Sequence, residues 1–388
     1  MIDDALVLGV KHAALNFNVG RLLLSVEKTN SVPFISGTRT FYFDRTYLES
    51  LDQRIKPLSD SGALVSLILL NYAGSDPALN PILLHPGYDV ACPNRLSAFN
   101  TVTAEGATCF EAAMALIAQY FSAGNPGHGR VVNYIVGNEV NSHWYWCNMG
   151  KVSMETFADD YLRTMRLCHA AVRRHSRTAR VYLSLEHHWN MRYATGDTRQ
   201  TFAGRPFIDY FARRAKEGGD FDWHVAFHPY PENLFEPRTW NDKSATRSED
   251  TPRITFKNIE MLPRYLRRTE LLYQGERRRV ILSEQGFHSP APQEGQLWQA
   301  AAYCYAYRKV AELDGIDAFI LHRHVDHQGE GGLNLGLWER KPGTISEPGQ
   351  KKRLYEIFRA ADTPAWEEAF RFALPIIGIT NWSQLSSY

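Results

Sequence analysis

Two glutamates stand where apolar runs give out. Glu139 closes YIVGNEVN (residues 134–141) and Glu284 falls in VILSEQGF (residues 280–287). Alone, either would be read as the partner of a nearby Arg or Lys. As a pair, each closing a strand with His228 and Tyr230 between them in sequence, they are what cleavage of a glycosidic bond requires. One carboxylic acid protonates the leaving oxygen, and a carboxylate about 5 Å away attacks the anomeric carbon. Other polar side chains follow apolar runs in the same way: Asn16, Asn71, Asn138, His187, His188, Trp189, His228, Tyr230, His322 and His324. Burying so many polar groups is costly unless they face a wet cleft. The rings of Trp144, Trp146, Trp189 and Trp240 supply flat apolar faces suited to a sugar, or to packing at a rim.

The histidines carry a competing chemistry. His187, His188, His228, His322 and His324, with Asp326 close by, have the residue types of a metal-dependent barrel hydrolase. That chemistry puts its HxH pair on the first strand, whereas here it stands on the last. Neutral imidazoles bonding to sugar hydroxyls account for the same residues, so the expectation is no metal and no organic cofactor.

The elements that must position these groups alternate regularly. Apolar β-rich runs at 10–19, 63–72, 131–139, 181–189, 223–230, 280–287 and 316–324 read as strands. Stripes at three and four spacing between them read as helices: Leu48, Leu51, Ile55; Phe110, Met114, Ile117, Phe121; and Phe157, Tyr161, Met165, Cys168, Val172. Two more helices are expected over 296–313 and 351–361. This is the α/β pattern of a parallel sheet covered by helices, and without a Gly-rich phosphate loop after the first strand it favours a (β/α)8 barrel. No linker or repeat divides the chain, so residues 1–388 read as a single barrel domain, with the long loop 73–108 as a lid or part of the binding face. Active-site residues of such barrels lie at the C-terminal strand ends, where all the polar groups named above fall.

The order of motifs resembles glycoside hydrolase clan A, the retaining barrel glycosidases. Asn138-Glu139 matches the Asn-Glu of the clan's fourth strand, SEQGF its seventh strand, and His228-Pro229-Tyr230 its sixth. The resemblance implies Glu139 as acid/base, Asn138 as a sugar ligand, Glu284 as nucleophile and an equatorial, usually β, bond. HPYPENLFEP (228–237) also resembles an uncharacterised bacterial family of that superfamily. Two departures stand out: the clan's strand-eight Trp is replaced by HRHVDH (322–327), and only two strong strands precede Glu139. The first strand is therefore expected either to be missing at the N-terminus or to be replaced by the C-terminal run LPIIGIT (374–380). A saccharide-binding barrel that no longer cuts is the third reading.

Composition excludes other classes. Lys+Arg 43 against Asp+Glu 42 gives a net charge of +1, so no global field draws nucleic acid or an anionic membrane. Five scattered cysteines lack a CxxC pair and argue against a disulfide framework. MIDDALVLGV is no signal peptide and the longest apolar run, 63–70, is too short to span a membrane, so the chain as written reads as cytoplasmic, of undetermined oligomeric state.

Overall fold

The computed structural model describes residues 1–74, 76–290 and 293–387. Seven parallel strands form one sheet in the order β1 (His12–Asn18), β2 (Leu64–Leu70), β3 (Val131–Val136), β4 (Arg180–Glu186), β5 (Trp223–His228), β6 (Val280–Gln285) and β7 (Ala318–Leu321). Each pairs with the next in sequence, and the sheet curls until β1 lies beside β7 without a ladder between them. This is a (β/α)8-type barrel with one open seam. Alternate residues point inward, where Ile68, Ile135, Tyr182, Ala226, Ile281 and Ile320 form the barrel's own core. The intervening residues, such as Leu67, Leu183, Val225 and Leu282, face the helices.

The helices include α1 (Ile2–Val7), α2 (Arg45–Asp60), α3 (Ala104–Phe121), α4 (Met154–His175), α5 (Gly204–Glu217), α6 (Glu294–Ala311), α7 (Arg353–Ala360) and α8 (Ala373–Ile377), beside shorter turns. Side-chain caps start the long ones: Asp44 accepts from Tyr47 N–H, Thr103 from Gly106 N–H and Ser153 from Thr156 N–H. The apolar stripes of α2, α3 and α4 are buried throughout. Short helical turns replace a long helix between β5 and β6, and small antiparallel sheets lie after β1 and after β7.

The C-terminal run 374–380 does not fill the missing stave. Its residues form α8, which packs on α6 outside the barrel, because Pro375 and Gly378 flank too short a run to pair as a strand. The seam is instead covered from the N-terminal side by α1. Asp4 accepts from His324 Nε2 at 2.6 Å, Trp338 Nε1 at 2.8 Å and Tyr355 Oη at 2.7 Å, tying α1 to the end of β7 and to α7.

The loop expected over 73–108 ends at Thr103, the cap of α3, and contains a short helical turn, Asn80–Leu83; apart from Ser75, which lies outside the described residues, it is laced down. Asn71 Nδ2 donates to Leu83 O and Ala98 O, both at 2.9 Å, and Ala98 N–H donates to Asn148 O. Leu96 from this loop inserts into the barrel's inner core. All five cysteines are free and buried. Among the described residues no helix is long and apolar enough to cross a membrane.

Candidate active site

The turn after β3 is unusual backbone. Gly137 has φ of 74°, and a Cβ there would press on Val140 and Cys147; Glu139 itself is left-handed at φ 42° and ψ 53°. A non-glycine residue in that region costs on the order of 1 kcal/mol or more and persists only where its surroundings impose it. Here Glu139 N–H donates to Ser184 Oγ on β4 at 3.0 Å, which holds the turn so that the carboxylate faces the barrel axis. After β6, Gly286 passes so close to the carbonyl of His322 that a Cβ would sit 2.2 Å from it, so only glycine lets the ends of β6 and β7 converge.

This backbone brings Glu139, His228 and Glu284 together: one oxygen of each carboxylate and one ring nitrogen all lie within 4.8 Å of one another. His228 Nδ1 is 2.9 Å from Glu139 Oε1, and its Nε2 is 3.0 Å from Ser283 Oγ. Tyr230 donates its hydroxyl to Glu284 Oε1 at 3.0 Å. The Ser283 hydroxyl can give or take a proton, so the imidazole is satisfied in either protonation state.

The two carboxylates have different electrostatic surroundings. Burial pushes Glu139 above the usual carboxylate range, and the nearby Glu284 and Glu186 charges add to this against the pull of His228. Burial also disfavours the charge on Glu284, but the His322 and His228 charges and the Tyr230 hydrogen bond outweigh it, so its pKa falls. His322 is raised: burial works against its charge, while Glu284 and Glu330 more than compensate. His322 Nε2 lies 3.6 Å from Glu330 Oε1, and Arg323 pairs with the same carboxylate.

A third carboxylate completes the wall. Burial penalises Glu186, yet His188 Nδ1 at 2.5 Å, His188 N–H, Asn141 Nδ2 and Ser142 Oγ hold it ionised, at about 2. Burial drives His187 down to about 3, so it is neutral.

Of the residues named from sequence, Glu139, Glu284, His228, Tyr230 and His322 meet at one place, with Asn138 beside Glu139 and Asn16 exposed on the cleft wall shared with Glu284. Others are not brought there, which corrects the expectation for them. Asn71 is buried and clamps the loop. His324 is turned to Asp4 at the seam. Trp189 is 2% exposed and packs edge-on against Tyr265 in the outer core, and Trp240 packs on Tyr305. Trp144 is buried beside the Lys151 ammonium, and His188 serves Glu186. Tyr193, 52% exposed and set edge-on to His188 and Tyr145, is a flat aromatic surface near Glu139, and the half-buried Trp146 packs on the barrel's inner core.

The histidine set likewise does not converge. His187 and His188 gather with Glu186, His228 lies between Glu139 and Glu284, and His324 belongs to Asp4, while Asp326 pairs with Lys352 at 2.8 Å. Sequence reasoning passed over Ser283, although it is part of SEQGF, and over Glu330 and Tyr193, which sit in irregular loops with no periodic signal.

Comparison with solved structures places this barrel. A hyperthermophilic β-glucosidase from Pyrococcus furiosus superposes with a TM-score of 0.61 at 16% identity, over 97% of this chain and 86% of that one. A family 39 glycoside hydrolase from Bacteroides cellulosilyticus WH2 gives 0.57 at 13%, over 92% of this chain and 59% of that one. A family 1 β-glucosidase from Thermotoga maritima gives 0.56 at 12%, over 92% and 84%. What these matches share with this chain is the barrel fold. No curated protein matches the sequence. The chain belongs to a family of unknown function, DUF5722, whose model matches residues 1–385.

Proposed function

We propose that the protein is a retaining glycoside hydrolase. The observation that carries this reading is the pair Glu139 and Glu284, with carboxylate oxygens within 4.8 Å across the barrel mouth and pKa values displaced in opposite directions. Two carboxyl groups about 5 Å apart suit a double displacement, whereas inversion needs room for a water between them.

In this mechanism Glu284, ionised and held by Tyr230, attacks the anomeric carbon. Glu139, protonated by virtue of its burial, gives its proton to the leaving oxygen. The glycosyl-enzyme ester is then hydrolysed when Glu139, now a base, takes a proton from water; that proton returns Glu139 to its starting state as the C1–O bond to Glu284 breaks. His228 and Ser283 steady Glu139 through both states. In this reading Asn138, next to Glu139 in the chain, bonds the hydroxyl beside the anomeric carbon. The substrate is a carbohydrate bonded through an equatorial, usually β, linkage; no metal or cofactor enters the scheme, and neither nucleic acid nor membrane is a partner.

The test is chemical labelling with turnover. A panel of activated 2-deoxy-2-fluoro aryl β-glycosides should inactivate the protein and leave a glycosyl ester on Glu284, found by peptide mass spectrometry. Glu284→Ala should abolish hydrolysis while sugar binding survives. A saccharide-binding barrel without catalysis predicts no label and no turnover in the wild type.

A further inference from the structure

The open seam gives this cleft a feature that a closed barrel lacks. A cavity of about 390 Å³ runs from Glu284, past His322 and Asn16, between the unpaired edges of β1 and β7 to Arg54 on α2. That volume lies in the range of small-ligand sites, roughly 300–1,000 Å³. The charges along it mostly cancel in place. Arg323 is matched by Glu330 and His324 by Asp4, while His322 stands between Glu284 and Glu330. Two cations are the exceptions, the Met1 α-ammonium and Arg54. The Arg54 Nε donates to Ser50 O at 3.3 Å, and among the described residues no ion pair to a carboxylate is found for its guanidinium.

We infer that this seam is an anion subsite, and that the sugar unit carried by Glu284 is a uronic acid whose carboxylate is bound by Arg54 with Asn16 beside it. The inference rests on the glycosidase reading for its substrate, but the geometry of the seam is independent of it. Arg54, a half-buried residue in the cavity lining, carries a guanidinium that matches a carboxylate in shape and charge through two parallel N–H donors. In a fully laddered barrel the wall between β1 and β7 would separate that charge from the nucleophile. Here the missing ladder joins them, and the position where clan members place a flat Trp holds His322, which leaves the cavity polar.

The experiment compares 4-nitrophenyl β-D-glucuronide and β-D-galacturonide with their neutral parents, the glucoside and galactoside, using wild type, Arg54→Met and Arg54→Lys. The expected result is a higher kcat/KM for a uronide than for its parent. In Arg54→Met the uronide-to-parent ratio should fall roughly ten- to a hundredfold, the range for one charge-assisted contact, with partial recovery in Arg54→Lys. A wild type that prefers the neutral parents, or a ratio that Arg54→Met leaves unmoved, overturns the subsite. Binding of D-glucuronate and D-galacturonate to the wild type, measured by ligand-observed NMR against glucose and galactose, separates the two levels. Uronate binding lost in Arg54→Met, with no glycoside hydrolysed, sustains the subsite and ends the hydrolase reading. Hydrolysis of neutral glycosides without uronate binding does the reverse.

Discussion

Replacing Tyr230 by Phe isolates the nucleophile's electrostatics. The ring stays, so no cavity opens, and only the hydroxyl that donates to Glu284 Oε1 at 3.0 Å is lost. Burial and the adjacent carboxylates push Tyr230 well above its usual pKa, so it remains a donor across the working pH range. A hydrogen bond to a charged acceptor contributes about 1.5–3 kcal/mol, and one pKa unit corresponds to about 1.4 kcal/mol, so the Glu284 pKa should rise by about one to two units. The nucleophile works ionised, and a raised pKa means that a higher pH is needed to ionise it. The acid limb of kcat/KM against pH should therefore move to higher pH by that amount in Tyr230→Phe. The alkaline limb, set by Glu139, should move much less, since Tyr230 makes no hydrogen bond to it. The assay is a pH profile with an aryl β-glycoside that the wild type hydrolyses. An acid limb that stays in place or moves to lower pH would refute the reasoning.

Three further predictions concern what holds the site. Asn71→Ala removes one of two donors from each of two loop carbonyls, leaving Asn100 N–H on Leu83 O and the Ser97 hydroxyl on Ala98 O; two lost hydrogen bonds should cost about 1–3 kcal/mol in urea denaturation, and limited proteolysis should cut within 84–100. Asp326→Asn leaves the Lys352 ammonium, 2% exposed, without its ion-pair partner; a cost of about 3–5 kcal/mol is expected, read as a lower denaturation midpoint. Glu186 has a folded pKa of about 2 against an ordinary 4.5. A depressed carboxylate stabilises the fold above its unfolded pKa, so up to about 3 kcal/mol should be present at pH 5 and above and be lost as the pH falls from 4.5 toward 2. Glu186→Gln should flatten the stability curve in that window, measured by denaturation at stepped pH.

Much of the barrel is written locally. Near-continuous β-rich apolar runs such as LVSLILL read as strands buried on both faces, and the stripes of α2, α3 and α4 as helices with one face inward, so their alternation along the chain points to a parallel sheet. Those runs end on polar residues, and that alone put Glu139, Glu284, His228 and Tyr230 at one end of the barrel. Helix α5 was passed over although Phe207, Ile208, Phe211, Ala212 and Ala215 form a regular buried stripe, and the small antiparallel sheets were not anticipated because their strands are short.

What only the tertiary structure decided is which strand-end groups meet. Asn71 and His324 have the same sequence context as Asn138 and His322, yet they face the loop and the seam, and Trp189, just past β4, packs in the outer core. Sequence spacing cannot separate these cases, because a side chain just past a strand takes its direction from the turn that follows, and that turn is set by partners distant in the chain. The hydrogen bond from Glu139 N–H to Ser184, 45 residues away, is one such partner. The seam is another case. Residues 374–380 have the composition of a strand, but a ladder needs two matched edges at the right separation, and β1 and β7 approach each other only when the whole sheet has curled.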